Sequence, residues 1–169
     1  MVGGACRVDS AAAIPEEEDE EFISDTVSAV EAHNKLPKGS QQKTTSTDGP
    51  NQSLSGSTEN KRPNDIPAVD VQKVIDRARE LGHELRNGGA YDNGVPGSAA
   101  ASHAEKQAIV KNPHAKHIDV SRKMCDDCQA FMSKEAQKQN RTILVTDPKA
   151  ARAFKPDGTV VVTPRPQKK

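Results

Sequence analysis

Three residues in the second half of the chain have the types and spacing of zinc ligands, and a glutamate lies beside the first. His103 and Glu105 form an H-x-E motif, and Cys125 and Cys128 form a C-x-x-C motif further along the chain. Two thiolates and one imidazole leave the fourth position of a tetrahedral zinc ion open, which is typical of catalytic zinc. The pattern therefore predicts one zinc ion per chain, with Glu105 placed to move the protons of an activated water.

The elements that carry these residues are predicted to be two helices. One starts at Ser102 or His103 and ends near Lys111, and the next starts at Cys125. A helix start offers unpaired N–H groups and a positive dipole end, which stabilise a thiolate. The C-x-x-C spacing places Cys125 and Cys128 about one helical turn apart, so both sulfurs can face one ion.

Each part of the pattern has an alternative interpretation. Ser102 and Glu105 fit the S-x-x-E capping box, in which the glutamate bonds back to the start of its helix. A C-x-x-C pair also occurs in redox proteins, but that interpretation leaves His103 unexplained. A fourth ligand from His114 or His117 would close the zinc site and make it structural. Catalysis is favoured because it uses the histidine, the glutamate and both cysteines.

The composition divides the chain into two parts. It has 169 residues, no tryptophan and 2 % aromatic residues, which is too polar to build a core along its whole length. Residues 1–61 contain five Lys and Arg against eleven Asp and Glu, a net charge of −6. Residues 62–169 contain 19 against 13, a net charge of +6. We expect a disordered acidic arm and linker over 1–61, flexible over 38–60, and one catalytic domain over 62–169 that suits a polyanionic partner.

Helical and strand patterns alternate within the expected domain. Apolar residues at helical spacing predict a first helix from about Pro67, which ends before Gly82. The strands are predicted over 83–86, 117–120, 142–145 and 159–163, and residues 148–154 form either a short helix or a hairpin arm. This order predicts a three-layer α/β domain in which helices flank a mixed sheet.

Cysteine content and hydropathy restrict the location of the protein. Three cysteines argue against a disulfide framework, and Cys6 is interpreted as an ordinary unpaired thiol. Residues 1–14 lack the apolar core of a signal peptide, and no apolar run reaches membrane-spanning length. We expect a soluble protein without a membrane partner, either cytoplasmic or nuclear or delivered by a specialised secretion system.

The two motifs together resemble those of zinc-dependent nucleobase deaminases. The segments 102–107 (SHAEKQ) and 124–129 (MCDDCQ) are similar to the DYW-like branch of the cytidine deaminase superfamily. That branch includes plant organelle RNA editing domains, bacterial polymorphic toxins and fungal relatives, and the similarity covers about 62–166. Met124 stands where many deaminases have proline, and the final residues are not the Asp-Tyr-Trp tripeptide of the plant domains. The resemblance therefore favours a toxin-like or fungal relative.

This resemblance implies a cytidine-deaminase-like fold and the hydrolysis of an amidine C–N bond, which converts cytosine to uracil. It assigns His103, Cys125 and Cys128 as the zinc ligands and Glu105 as the proton shuttle. Single-stranded DNA or RNA is the expected substrate. An immunity or inhibitor protein is a further expected partner if the chain is toxin-like.

The substrate contacts are less clearly marked than the metal site. Tyr91 lies in a glycine-rich loop before the zinc histidine and is the candidate platform for base stacking. Asn87 and Ser102 are further candidate contacts to the substrate. Two alternative functions stay open, a deaminase of free cytidine or nucleotide and a deaminase-fold module that binds nucleic acid without turnover.

Overall fold

The computed structural model describes residues 28–48, 51–56 and 61–165. The acidic run of the predicted arm and Cys6 lie outside these residues, so the expectations for them are not addressed. Within the described part of the chain, no helix is long and apolar enough to cross a membrane.

Helices flank a single mixed sheet. The helices are α1 (Ala29–Asn34), α2 (Val71–Leu81), α3 (Ser98–Ala101), α4 (Ala104–Lys111) and α5 (Asp126–Gln139), with 3-10 turns at Lys38–Ser40 and Gly89–Asp92. The strands are β1 (Thr45–Thr47), β2 (Gln52–Leu54), β3 (His117–Val120), β4 (Ile143–Thr146), β5 (Ala150–Phe154) and β6 (Val160–Pro164). The six strands lie in the order β2-β1-β3-β4-β5-β6. β3 and β4 are parallel, and the other neighbouring pairs are antiparallel. The predicted mixed α/β fold is confirmed.

The side chains of β1 show that helices cover both faces of the sheet. Thr45 Oγ1 lies 3.3 Å from His33 Nδ1 of α1, whereas Ser46 donates a hydrogen bond to the carbonyl of Ala104 in α4 at 2.9 Å. Successive strand residues point to opposite faces, so α1 and α4 lie on opposite sides. The main apolar core lies on the α4 side and includes Val74, Ile109, Ile118, Phe131, Met132, Ile143 and Phe154, all buried.

The polar strands β1 and β2 correct the prediction of a flexible linker over 38–60. β1 pairs with β3 through Ser46 opposite Val120 and Thr47 opposite Asp119. These strands read Thr-Ser-Thr and Gln-Ser-Leu, without the apolar alternation that marks a strand in a sequence. The sequence placed the start of the domain at Arg62, but the sheet already begins at Thr45.

The elements after Arg62 agree more closely with the sequence. α2 begins after Asp70, which accepts a hydrogen bond from the Gln72 N–H at 2.9 Å, and ends at Gly82, whose φ is +67°. Glycine adopts that left-handed conformation without strain. β3, β4 and β6 lie within one residue of their predicted bounds, and residues 148–154 form the hairpin arm rather than the short helix.

The strand predicted over 83–86 is wrong. The N–H of Arg86 bonds to Asp127 Oδ1 at 3.1 Å instead of to a neighbouring strand, and the N–H of His83 bonds to the Ala78 carbonyl at the end of α2. Both backbone donors are thus used outside the sheet, which leaves this stretch as irregular chain.

α4 lies at the centre of the fold. Every residue from Ala104 to Ile109 is buried, including Glu105, Lys106 and Gln107. The polar members each face a specific partner or the functional cavity described below. This helix consequently links the apolar core to the residues that could do chemistry.

Candidate metal centre

The three predicted zinc ligands converge at the starts of two helices. His103 is the N-cap residue of α4, Cys125 is the N-cap residue of α5, and Cys128 lies in the first turn of α5. His103 Nδ1 lies 3.2 Å from Cys128 Sγ and 3.4 Å from Cys125 Sγ. The three ligand atoms all lie within 4.8 Å of one another.

This donor set fits a tetrahedral zinc ion. Zinc bonds of about 2.0–2.1 Å to nitrogen and about 2.3 Å to sulfur place the two ligand atoms about 3.5 Å apart at a tetrahedral angle. The His103 Nδ1 to Cys Sγ distances of 3.2 and 3.4 Å are close to that value. Among the residues that the structure describes, the group contains only these three members, so neither His114 nor His117 closes it. An ion held there would keep one position for a non-protein ligand.

The two cysteines share a hydrogen bond that moves their pKa values apart. A hydrogen bond with the Cys128 side chain lowers the pKa of Cys125 to about 3, burial opposes this shift, and His103 adds to it. The same hydrogen bond places one proton between the two sulfurs and, together with burial, raises the pKa of Cys128. A metal ion that binds both sulfurs must displace that proton, so its binding is coupled to proton release.

Glu105 lies at the metal centre and does not cap its helix. Ser102 donates its hydroxyl to the Ala99 carbonyl at 2.7 Å, and His103, not Ser102, is the N-cap residue. The Glu105 carboxylate accepts from its own backbone N–H, and burial raises its pKa. Glu105 is 4 % exposed and lines the same cavity as His103 and Cys125.

A cavity of about 200 Å³ opens beside these residues. Its lining consists of Thr44, Ser55, His103, Ala104, Glu105, Arg122, Lys123 and Cys125. Thr44 and Ser55 flank the β1–β2 hairpin, so the segment that the sequence suggested was a linker forms one wall. Sequence reasoning missed both residues because an isolated hydroxyl in a polar stretch carries no signal of burial or of strand pairing.

Two positive side chains at the cavity, Arg122 and Lys123, form what we call the basic rim, and Lys43, Lys61 and Arg62 lie close to one another beside the β1–β2 hairpin. Arg122 and Lys123 are exposed and line the cavity directly. Burial and the nearby charges of Arg62 and Lys61 lower the pKa of Lys43. Like charges repel one another when gathered in this way, and an anionic ligand relieves that repulsion.

The three candidate substrate contacts differ in their surroundings, and their role stays a prediction. Tyr91 is 84 % exposed in the 3-10 turn of the glycine-rich loop, and Asn87 lines a separate cavity of about 300 Å³ together with His83. Ser102 is buried, with its hydroxyl bonded to the Ala99 carbonyl. None of the three is among the residues that line the cavity beside His103.

The glycine-rich loop closes on a buried aspartate that sequence reasoning did not single out. Asp92 accepts hydrogen bonds of 2.8–3.0 Å from the backbone N–H groups of Gly88, Gly97 and Ala99. These bonds lower the pKa of Asp92. The loop is therefore organised around its own carboxylate, and it leads the chain into α3 and His103.

Residues 52–109 match the family model Single-strand DNA deaminase toxin A, C-terminal. The matched segment is about a third of the chain and runs from β2 through α2 and the glycine-rich loop into α4. It includes the H-x-E motif and ends before the C-x-x-C motif. The match supports a relationship to deaminase toxins. A comparison with curated proteins gives no match.

Proposed function

We propose that this chain is a zinc-dependent deaminase that converts cytosine to uracil in single-stranded DNA. The observation that carries the proposal is the convergence of His103 Nδ1, Cys125 Sγ and Cys128 Sγ beside the buried Glu105. A closed structural site has no use for an open ligand position or for a neighbouring proton acceptor. The match to a single-strand DNA deaminase toxin domain supports the choice of substrate. We also propose that the chain belongs to the DYW-like branch. If it acts as a toxin, an immunity protein is a further proposed partner.

The chain's own residues account for the proton movements of the reaction. A zinc ion held by His103, Cys125 and Cys128 supplies Lewis acidity, which makes water nucleophilic near neutral pH. Glu105 accepts a proton from the attacking water as the C–O bond forms at C4 of cytosine. It passes this proton to N3, then takes a second proton from the new hydroxyl on C4 and gives it to the amine as the C4–N bond breaks, so that uracil and ammonia are released. Burial, which raises the pKa of Glu105, helps the carboxyl group hold the proton between these transfers.

The position of the cavity favours an unpaired base. Glu105 is 4 % exposed and lies behind the basic rim, so a base must leave its stack to reach it. Unstacking and unpairing cost a few kcal/mol in a duplex and much less in a single strand. The rim then holds the flanking phosphates, which a free nucleoside lacks. These two features favour a single-stranded polymer over free cytidine.

The proposed activity is tested by offering the zinc-loaded protein four substrates at equal cytosine concentration. We expect uracil in single-stranded DNA, much less in duplex DNA and RNA, and none from free cytidine. Sequencing of the recovered strands and chromatography of the nucleoside measure conversion. Equal turnover of cytidine would instead establish the nucleoside deaminase. Tight binding of DNA without any uracil would establish the binding module.

The basic rim gives a second expected result. Replacing Arg122 and Lys123 by glutamine should weaken binding of single-stranded DNA and reduce its salt dependence. Each lost phosphate contact should make the slope of log K against log salt shallower by about 0.7. Fluorescence anisotropy at several salt concentrations measures both quantities.

The matched control for the rim variant is Lys138→Gln, which removes an exposed positive charge from the far end of α5, about 20 Å along the helix from Cys125. This control variant should leave the slope of log K against log salt nearly unchanged. Equal slopes for the wild-type and the rim variant would contradict the assignment of this surface.

A further inference from the structure

One lysine is completely buried directly behind the metal centre. Lys106 of α4 has a relative exposure of 0 %. Its Nζ donates to the Ala100 carbonyl at 2.8 Å, to Asp127 Oδ2 at 2.5 Å and to Cys128 Sγ at 3.5 Å. An ammonium group has three protons to donate, so each of them has an acceptor, and one of these acceptors is a proposed zinc ligand.

The partner carboxylate is itself held in place. The second oxygen of Asp127, Oδ1, lies 3.2 Å from His83 Nε2 and accepts from the Arg86 N–H at 3.1 Å. The ring of His83 packs edge-on against Phe131 with the ring centres 5.6 Å apart. His83 is therefore buried, and its ring supports the Asp127 carboxylate. The chain of contacts fixes the ammonium of Lys106 against the sulfur.

Stability alone is a poor explanation for this arrangement. Burial works against the charged form of Lys106, while the nearby Cys128 sulfur and Asp127 outweigh it and raise the pKa of the lysine. Well-packed apolar side chains generally stabilise a fold as much as a buried ion pair does. The proton transfers proposed for Glu105 make no use of Lys106 either. The contact with Cys128 is therefore the feature of Lys106 that still needs an explanation.

We propose that Lys106 is a positioning residue that tunes the metal centre through a hydrogen bond to the thiolate of Cys128. The bond draws electron density from the sulfur, so the sulfur donates less charge to a bound zinc ion and the ion stays a stronger Lewis acid. Asp127 and His83 orient the ammonium for this contact. Such partners of metal ligands commonly change metal affinity or activity by about 10- to 100-fold when removed. The inference rests on the proposed function, because it requires the metal.

Cobalt substitution tests the inference in the intact chain. Wild-type protein loaded with Co²⁺ should show a sulfur-to-cobalt charge-transfer band in its absorption spectrum. In Lys106→Met, loss of the N–H···S bond should raise the energy of the sulfur electrons and move this band to longer wavelength. The zinc form of the same variant should lose about 10- to 100-fold in kcat, with little change in KM for single-stranded DNA. The double variant Lys106→Met/Asp127→Asn removes both charges together. It replaces the single variant in both measurements if Lys106→Met does not fold.

The control is Arg77→Met, which removes an ion pair to α5 at a distance from the sulfurs. Arg77 Nη2 lies 2.7 Å from Glu135 Oε2, so this variant should lose thermal stability while its cobalt band stays in place. An unmoved band in a folded Lys106 variant, or an equal shift in Arg77→Met, would overturn the inference. A wild-type protein without any charge-transfer band would instead refute the metal centre and with it the proposed function.

Discussion

Glu105→Gln is expected to reduce conversion of cytosine in single-stranded DNA by about 10²- to 10⁴-fold, the usual contribution of a general acid–base group. Glutamine has nearly the same shape, but it neither accepts a proton from water nor delivers one to the base. Zinc content should stay at one ion per chain, because the group of ligand atoms does not include Glu105. The thermal midpoint should not fall, since Ser102 bonds to Ala99 and no capping box is formed.

Rate, zinc content and thermal midpoint should be measured on one preparation of Glu105→Gln. The matched control is Glu135→Gln, which alters another buried glutamate, in an ion pair with Arg77, about two helical turns beyond Cys128. That variant should lose stability and keep its rate at a temperature where it is folded. A Glu105→Gln protein that deaminates near the wild-type rate would remove this residue from the mechanism.

Cys125→Ser and Cys128→Ser should each abolish zinc binding and all turnover. A serine hydroxyl keeps its proton at neutral pH and does not replace a thiolate as a zinc ligand, because zinc ligands of this kind must be deprotonated. The thermal midpoint should fall as well. Zinc at a thousandfold excess over its Kd stabilises the folded state by about 4 kcal/mol, and that contribution disappears with the site.

Elemental analysis and calorimetry measure both losses. Wild-type protein treated with a strong chelator should show the same fall in thermal midpoint as Cys125→Ser, and added zinc should restore only the wild type. Cys6→Ser makes the same exchange outside the C-x-x-C motif and should keep the metal. Zinc retained in Cys128→Ser, or absent from freshly purified wild-type protein, would contradict the centre as described.

The metal ligands could be predicted from the sequence because their arrangement is local. His103 and the pair Cys125 and Cys128 each mark the start of a helix, and two helix starts that meet need only one contact between α4 and α5. α2 and β3 could also be predicted from the sequence, because the spacing of their apolar residues reflects the face that each element buries. The sequence also indicated the proposed acid–base residue, since Glu105 stands two positions after the histidine.

The features that could not be predicted depend on contacts between residues that are far apart in the sequence. β1 becomes a strand by pairing with β3, far along the chain, and its own residues carry no apolar pattern. The capping box is not formed because Ser102 is the C-cap residue of α3, and its hydroxyl donates a hydrogen bond to the Ala99 carbonyl. Nothing in the sequence marks Lys106 as buried, and its burial depends on the hydrogen bonds that Asp127 and Cys128 accept from it. The role of Tyr91 as a stacking platform stays a prediction, since it is 84 % exposed and has no neighbour among the described residues that assigns it a function.

The complete burial of α4 between Ala104 and Ile109 has a consequence for how such a sequence can change over time. In α2, exposed positions such as Gln72, Lys73 and Asp76 leave one side of the helix open to neutral substitution. α4 offers no such side, because each of these positions touches the core, the cavity or a buried polar partner. A substitution in this helix therefore requires a compensating substitution in a neighbouring residue. Related proteins that keep the activity should differ least in the sequence of α4.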